Sequence, residues 1–379
     1  MERAHPIGGR LVTPFTTLLA LLSLIALWVL AQRFVHGLGA VTHLNNGYPW
    51  GIWVVFDVVV VTGLACGGYV VAFSVYVANR FQYHPLVRPA MLASLLGYGL
   101  GGLGAVVDMG RYLNVYNIFL PWQMNFTSVM LEVALCVAIY ILVLMVEASP
   151  AFLERFKLHR HKRKLERVMF LFIALGLVLP TMHQSSLGTL LVVLGNQIAP
   201  LWQSYELMPL LALLSAAIMG FSILLFEGFF SQLGFRRASE APLLAAFARP
   251  LTWLLVVWLV VRFAELTLHG KLGDAFTPGG LAVAFWLETL LFALPLWVLV
   301  SPQRRRQAHL LLIAAVAMLL AGTVYRVNAF LIAYLPPAGY QYFPSATELL
   351  LTIGLVALKI LVFILIVKRF PIISAPART

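Results

Sequence analysis

The residues able to do chemistry are few, and they stand among apolar neighbours. Asp57 lies about two turns inside a long apolar run. That run opens with Asn45-Asn46-Gly47 and a collar of Tyr48, Pro49, Trp50 and Trp53. Asp108 ends a second apolar run, with Arg111 and Tyr112 just beyond it. Asn125 and Glu132 open a third, and His183-Gln184 stand near the end of a fourth. Imidazole, amide, phenol and guanidinium groups can donate hydrogen bonds, and carboxylates can relay protons. A carboxylate facing lipid would cost about 2.5–3.5 kcal/mol on insertion scales. Asp57 is therefore expected to face protein or water, in a buried polar site near one membrane face.

The elements that must position these groups follow from composition. The chain has 379 residues, 61% hydrophobic and 11% charged, whereas soluble domains carry about 25% charged residues. This is an all-α polytopic membrane domain, 1–379, not a soluble domain with an anchor. Ten spans are predicted at 13–34, 52–79, 89–109, 127–148, 167–190, 204–230, 250–268, 280–300, 309–333 and 346–368. Each exceeds or approaches the ~20 residues that cross the hydrocarbon. They divide into a first five over 13–190 and a second five over 204–368. His183-Gln184-Ser185-Ser186 interrupts the fifth, so 184–194 reads as a short helix that does not span. The first span follows Arg3 and Arg10, and its apolar run exceeds the ~7–15 residues of a signal-peptide core, which predicts a retained anchor.

The net charge of +12 resides mainly in connections, where it sets orientation and does not mark nucleic acid. Seven Lys and Arg fall between Arg155 and Arg167, and Lys368, Arg369 and Arg378 close the chain. The alternate connections hold only Arg33, Arg111 and Lys271. Both termini are thus expected in the cytoplasm. The basic stretch 155–167 reads first as a topology determinant and second as a lipid or partner contact. The opposite loops, 35–50, 110–126, 191–203, 269–279 and 334–345, are rich in Trp, Tyr, Asn and Pro. Ile118, Phe119, Leu120 and Trp122 suit either a docked partner or an interfacial aromatic belt.

Depth then groups the polar residues. At ~1.5 Å per residue, Asp57 lies ~8–10 Å below the outer face. Asp108, Glu132 and His183 reach similar depth on the next three spans, and short loops make successive helices neighbours. Singly, Asp108 and Arg111 could form a rim ion pair, His183 a structural donor and Asp57 a helix pairing. The second half carries Arg262, Glu265, Glu288, Arg326 and Glu348 in spans. Arg262 and Glu265 could simply neutralise each other. Glu132, Glu147 and Glu227 are candidate stepping stones for a proton. Gly99–Gly104 spells G-x-G-x-x-G, but inside an apolar span it reads as helix packing, not a nucleotide loop. Cys66 and Cys136 are isolated in apolar runs, so no iron–sulfur cluster is expected in this chain. A transmembrane b haem wants two facing axial histidines. Of histidines 5, 36, 43, 84, 159, 161, 183, 269 and 309, only His183 falls well within a span, and no haem is expected.

The chain resembles the NrfD/polysulfide-reductase membrane-subunit family, within it most closely the membrane subunits of hydrogenase-2-type nickel–iron hydrogenases. The resemblance covers nearly the whole chain. It is carried by Tyr48-Pro49-Trp50-Gly51 with Asp57, Ala65 to Tyr69, Asp108-Met109-Gly110-Arg111, Met124-Asn125 through Glu132, His183 to Gly188, and Pro200 to Gln203. It implies a haem-free subunit of the bacterial inner membrane, built on two four-helix bundles plus extra helices. It also implies binding of quinone (menaquinone or ubiquinone) and electron exchange with a periplasmic iron–sulfur subunit docked to hydrogenase large and small subunits. The chain would not act on hydrogen itself but would serve a hydrogen:quinone oxidoreductase, possible proton translocation included. Asp57, Asp108, Arg111, Tyr112, Asn125 and His183 are the expected quinone-site residues, with Glu132, Glu147 and Glu227 on the proton path. The alternatives are the equivalent subunit of a molybdopterin or quinol-oxidising complex, a structural anchor, and a secondary transporter. The last would place its site near the midplane.

Overall fold

In hydrocarbon every backbone N–H and C=O must find its partner within the chain, which favours helices. The computed structural model describes residues 6–203, 206–235 and 241–373. Arg3, His5, Arg378 and the first two residues of the expected span 204–230 lie outside them. Among the described residues the regular elements are helical, with one isolated bridge between Ile198 and Tyr334. Ten helices are long and apolar enough to cross a membrane. They are α1 (Pro14–His36), α2 (Trp53–Val77), α3 (Phe81–Asp108), α4 (Val129–Arg155), α5 (His159–Gln197), α6 (Met208–Gly234), α7 (Ala241–Leu268), α8 (Gly280–Leu299), α9 (Ala308–Ile332) and α10 (Ala346–Arg369).

Two features differ from expectation. The stretch 184–194 is not a separate short helix, because α-helix runs unbroken over His159–Leu194. The polar side chains that suggested a break serve the helix instead. Ser185 and Ser186 both donate to the carbonyl of Met182, at 2.9 and 2.8 Å. Most of the basic stretch 155–167 is also helical, forming the first turns of α5. There Lys162 pairs with Glu154 at 2.6 Å and Glu166 at 3.3 Å.

The chain forms two compact units, neither of which is a sequence half. The first comprises 1–62, 91–176 and 336–379. Its core joins Ala26 and Val29 of α1, Trp53 and Val61 of α2, Leu100 and Val107 of α3, and Leu351 and Leu355 of α10. α1 packs along α10, and Gly354 makes the close approach possible. A Cβ there would sit 2.4 Å from the Leu22 carbonyl oxygen and 2.5 Å from Ala26 Cβ. Small residues at such crossings are what brings helix backbones together in membranes. Arg33, buried near the end of α1, donates to the carbonyls of Val107 (2.7 Å) and Met109 (2.6 Å). These carbonyls lie at the C-terminus of α3, where no intrahelical donor remains for them.

The second unit comprises 63–90 and 177–335. Trp258 of α7 stacks on Phe292 of α8 at 3.7 Å and meets Tyr325 of α9 edge-on at 5.3 Å. The Trp258 indole N–H donates to the Leu211 carbonyl at 3.2 Å. Aromatic stacking fixes three helices there without leaving a polar atom unpaired.

Gly354→Val should lower the thermal midpoint of the detergent-solubilised chain, with a destabilisation of about 1–3 kcal/mol from overpacking. Gly99→Ala, where no atom lies within 4 Å of an added Cβ, should leave the melt unchanged. Equal melts for both variants would remove Gly354 from the packing argument. Arg33→Met should cost about 1–3 kcal/mol, because two buried carbonyls lose their donor. Hydrogen exchange should then rise first over the last turn of α3.

Candidate functional site

The first unit gathers three carboxylates at one end. Asp57 stands in Trp53–Val60, where α2 is wound as a π-helix. Its side chain is fully buried. Oδ2 accepts from Thr352 Oγ1 of α10 at 3.3 Å, while Oδ1 has no hydrogen-bond partner among the described residues. Asp108, partly buried at the end of α3, accepts from the Gly51 N–H and lies within electrostatic reach of Glu348, Arg33 and Asp57. Glu348 is buried in the first turn of α10, inside a capping box with Ser345. Oε1 accepts from the Tyr342 hydroxyl at 2.5 Å. Oε2 accepts from the backbone N–H of Ser345 (2.7 Å) and of His43 (3.1 Å). The Glu348 carbonyl accepts from Trp53 Nε1 at 3.0 Å. Tyr342 lies in the loop before α10, and its phenol is pushed above the ordinary tyrosine range by burial and by its donation to Glu348.

Aspartates 57 and 108 are thus brought together as depth suggested, and Glu348 joins them. By sequence, Glu348 groups only with the second-half span residues Arg262, Glu265, Glu288 and Arg326. The signal for it was Ser345-Ala346-Thr347-Glu348, a capping-box pattern. The expected rim pair of Asp108 with Arg111 does not form among the described residues, where Arg111 is exposed. Arg33 faces Asp108 instead. Tyr112 packs edge-on against Phe34 at 4.8 Å, with the Arg33 guanidinium 5.2 Å from its ring. Asn125 is exposed and accepts from Thr127 Oγ1 (2.7 Å) and N–H (3.1 Å). Glu132 projects from the first turn of α4 and is exposed. Glu147, deeper on α4, meets Gly176 of α5, where a Cβ would lie 2.9 Å from Oε1. Neither Glu147 carboxylate oxygen has a hydrogen-bond partner among the described residues.

His183 belongs to the second unit. It is fully buried on α5, within electrostatic reach of Arg326 of α9. One Arg326 Nη donates to Gln184 Oε1 (2.8 Å), Ser215 Oγ (3.2 Å) and the Ala212 carbonyl (3.2 Å). Nearby, Glu288 of α8 accepts from Trp202 Nε1 (2.8 Å) and Asn328 Nδ2 (3.0 Å), with Arg262 Nη2 at 3.7 Å. Arg262 therefore pairs across helices with Glu288 and not along its own helix with Glu265. Helical spacing within α7 could not reveal a partner on α8. Glu227 of α6 is partly buried in this unit.

Residues 40–336 match the family described as Polysulphide reductase, NrfD. The chain is 44% identical to the Escherichia coli (strain K12) "Probable Ni/Fe-hydrogenase 2 b-type cytochrome subunit", over 97% of this chain and 95% of that protein. It is 27% identical to the "Menaquinone reductase, integral membrane subunit" of Nitratidesulfovibrio vulgaris, over 93% and 89% of the two chains. A selenate reductase subunit of Mesobacillus selenatarsenatis is 21% identical over 95% and 94%. The first of these names corrects the expectation of no haem, since a b-type cytochrome subunit is a haem protein by name. The described residues meet that group incompletely. His183 is the one described histidine buried within a span, while His36, His43, His159, His161 and His309 are exposed and His84 and His269 partly so. One axial imidazole is present where a bis-histidine site takes two. On the match across residues 40–336 and the full-length likeness to the E. coli protein, this multi-pass membrane chain belongs to the Polysulphide reductase, NrfD family.

Proposed function

We propose that this chain is the integral membrane subunit of a respiratory nickel–iron hydrogenase complex in the bacterial inner membrane. In this reading it binds quinone and exchanges electrons between a periplasmic iron–sulfur subunit and the quinone pool. The observation that carries the site is the gathering of buried Asp57 and Glu348 with partly buried Asp108 at one end of the first unit, with Asp57 Oδ1 left without a hydrogen-bond partner among the described residues. Reducing a quinone to a quinol takes two electrons and two protons. The electrons come from the iron–sulfur partner, and carboxyl groups at the head site deliver the protons. Glu348 has its oxygens engaged by Tyr342, Ser345 and His43, so it serves as a fixed element of the wall. Asp57, held through one oxygen by Thr352, keeps the other for a ligand or a proton. Asp108 stands between Arg33 and the other two carboxylates and relays to Asp57.

Tyr112, Arg111 and Asn125 belong to the same unit and are the candidate donors at the mouth. His183, on the other unit, is a second candidate donor. Glu147 is the strongest stepping stone for a proton from the far side, because both its carboxylate oxygens are buried with no hydrogen-bond partner among the described residues. Glu132 and Glu227 are the others. The cytoplasmic placement of both termini follows from the positive-inside pattern. The likeness to menaquinone reductase and selenate reductase subunits favours one further reading, the same quinone-coupled role beside a different catalytic partner.

The test uses the intact complex. Asp57→Asn should lower hydrogen-to-quinone turnover by about 100-fold, the scale of losing one positioned acid or base. Hydrogen-to-viologen turnover, which bypasses the membrane subunit, should stay at wild-type level. Thr352→Val should lower quinone turnover less, by freeing the Asp57 side chain. A fully assembled Asp57→Asn complex with undiminished quinone reduction would refute the assignment of Asp57.

A further inference from the structure

A second place in the molecule combines features the quinone reading leaves unused. In the second unit a cavity of about 660 Å³ is walled by α6, α7 and the Tyr69–Ser74 stretch of α2, and closed at one end by the turn between α2 and α3. Its walls are apolar, with Leu214 and Ala217 of α6 facing Trp253, Leu254 and Val257 of α7. Trp253 is 73% exposed, so the trough opens sideways, toward hydrocarbon in a bilayer. Only the rim is charged: Arg80 and Arg249 stand there with Gln82. A smaller recess of about 430 Å³ adjoins it, shares Arg249 and Ala246, and adds Arg305 and Arg306.

Arg249 is thus shared by two basic rims, with Arg80 on one and Arg305 and Arg306 on the other, and none of the four forms an ion pair among the described residues. Arg305 donates to the Leu299 carbonyl at 2.8 Å, which anchors it. It is held below the ordinary arginine range by burial and by the like charges of Arg249 and Arg306. Such a cluster is stabilised by an anion. The trough says which kind. From Arg249 to Val257 it descends α7 by about 12 Å, most of the ~15 Å thickness of one leaflet. A free anion would use the rim and leave the trough unfilled.

We propose that this trough is a binding site for one anionic phospholipid. The lipid phosphodiester lies on Arg249 and Arg306, with Arg80 and Arg305 completing the rim. An acyl chain runs along Leu214, Ala217, Leu254 and Val257 beneath Trp253. Basic pockets between spans commonly recognise acidic lipid headgroups. The site is separate from the carboxylate cluster of the first unit, and it stands whether or not that cluster binds quinone.

The experiment is native mass spectrometry of the full-length chain, delipidated in mild detergent and titrated with phosphatidylglycerol, phosphatidylcholine or inorganic phosphate. One phosphatidylglycerol should be retained in preference to phosphatidylcholine. The double variant Arg249→Gln/Arg306→Gln should weaken it about 30-fold, at roughly 1 kcal/mol for each arginine. Ala217→Trp keeps every charge but fills the trough, and should also weaken retention. Equal retention of phosphatidylcholine would overturn the proposal, as would wild-type retention by both variants. Displacement of the lipid by millimolar inorganic phosphate would assign the rim to a free anion and overturn the lipid site.

Discussion

Hydrocarbon offers no hydrogen-bond partner, so a polar group inside a span must be met by another part of the chain. That constraint organises both units. In the first, Arg33 of α1 takes the last carbonyls of α3, Thr352 of α10 holds Asp57 of α2, and Trp53 of α2 donates to Glu348 of α10. In the second, Arg326 of α9 reaches Gln184 of α5 and Ser215 of α6, while Glu288 of α8 gathers Trp202 and Asn328. Each contact joins segments of the chain 40 or more residues apart. Buried polar links of this kind add little net stability over a well-packed apolar contact. Their effect is to fix which helix ends meet, because any other arrangement would strand a charge.

The carboxylates differ in how fully their oxygens are hydrogen-bonded. Glu348 accepts three hydrogen bonds, two of them from backbone N–H groups. A carboxylate so engaged is fixed in position. Asp57 and Glu147 differ, because each retains at least one buried carboxylate oxygen with no partner among the described residues. Native proteins rarely leave such atoms, and those they do leave call for an explanation in function or in bound water. The contrast between neighbours in one unit, more than acidity alone, singles out Asp57.

Sequence alone carried the helices well and the site in part. Length and hydropathy suffice for spans, since a bilayer demands nearly continuous apolar runs. Rise per residue gives depth, and depth placed Asp57 with Asp108. Depth does not give azimuth, however. Glu132 lies in the first turn of α4 yet projects from an exposed face, and no short-range pattern in its strongly apolar helix marks that face. His183 has the same limitation, because depth says nothing about which bundle a helix joins. α5 contributes 159–176 to one unit and its remainder to the other. Histidine counting pointed away from haem, and the name of the E. coli relative points toward it. The continuity of α5 was hidden by polar residues that bond to their own helix.

The glycine run on α3 shows how packing and site are joined. Gly99 to Gly104 has the spacing of a nucleotide loop, but Gly101 and Gly104 press on the segment of α2 that bears Asp57. A Cβ at Gly104 would come within 2.8 Å of Asp57 Cβ, and one at Gly101 within 2.9 Å of Thr62 Cγ2 and 3.2 Å of the Asp57 carbonyl oxygen. That segment of α2 is a π-helix, a winding often found at functional sites. The close approach of α3 keeps lipid and water from that side of Asp57. With α3 behind it and Thr352 holding one oxygen, the carboxylate keeps only Oδ1 without a hydrogen-bond partner among the described residues. A sequence of small residues that does no chemistry thereby fixes the packing around the Asp57 side chain.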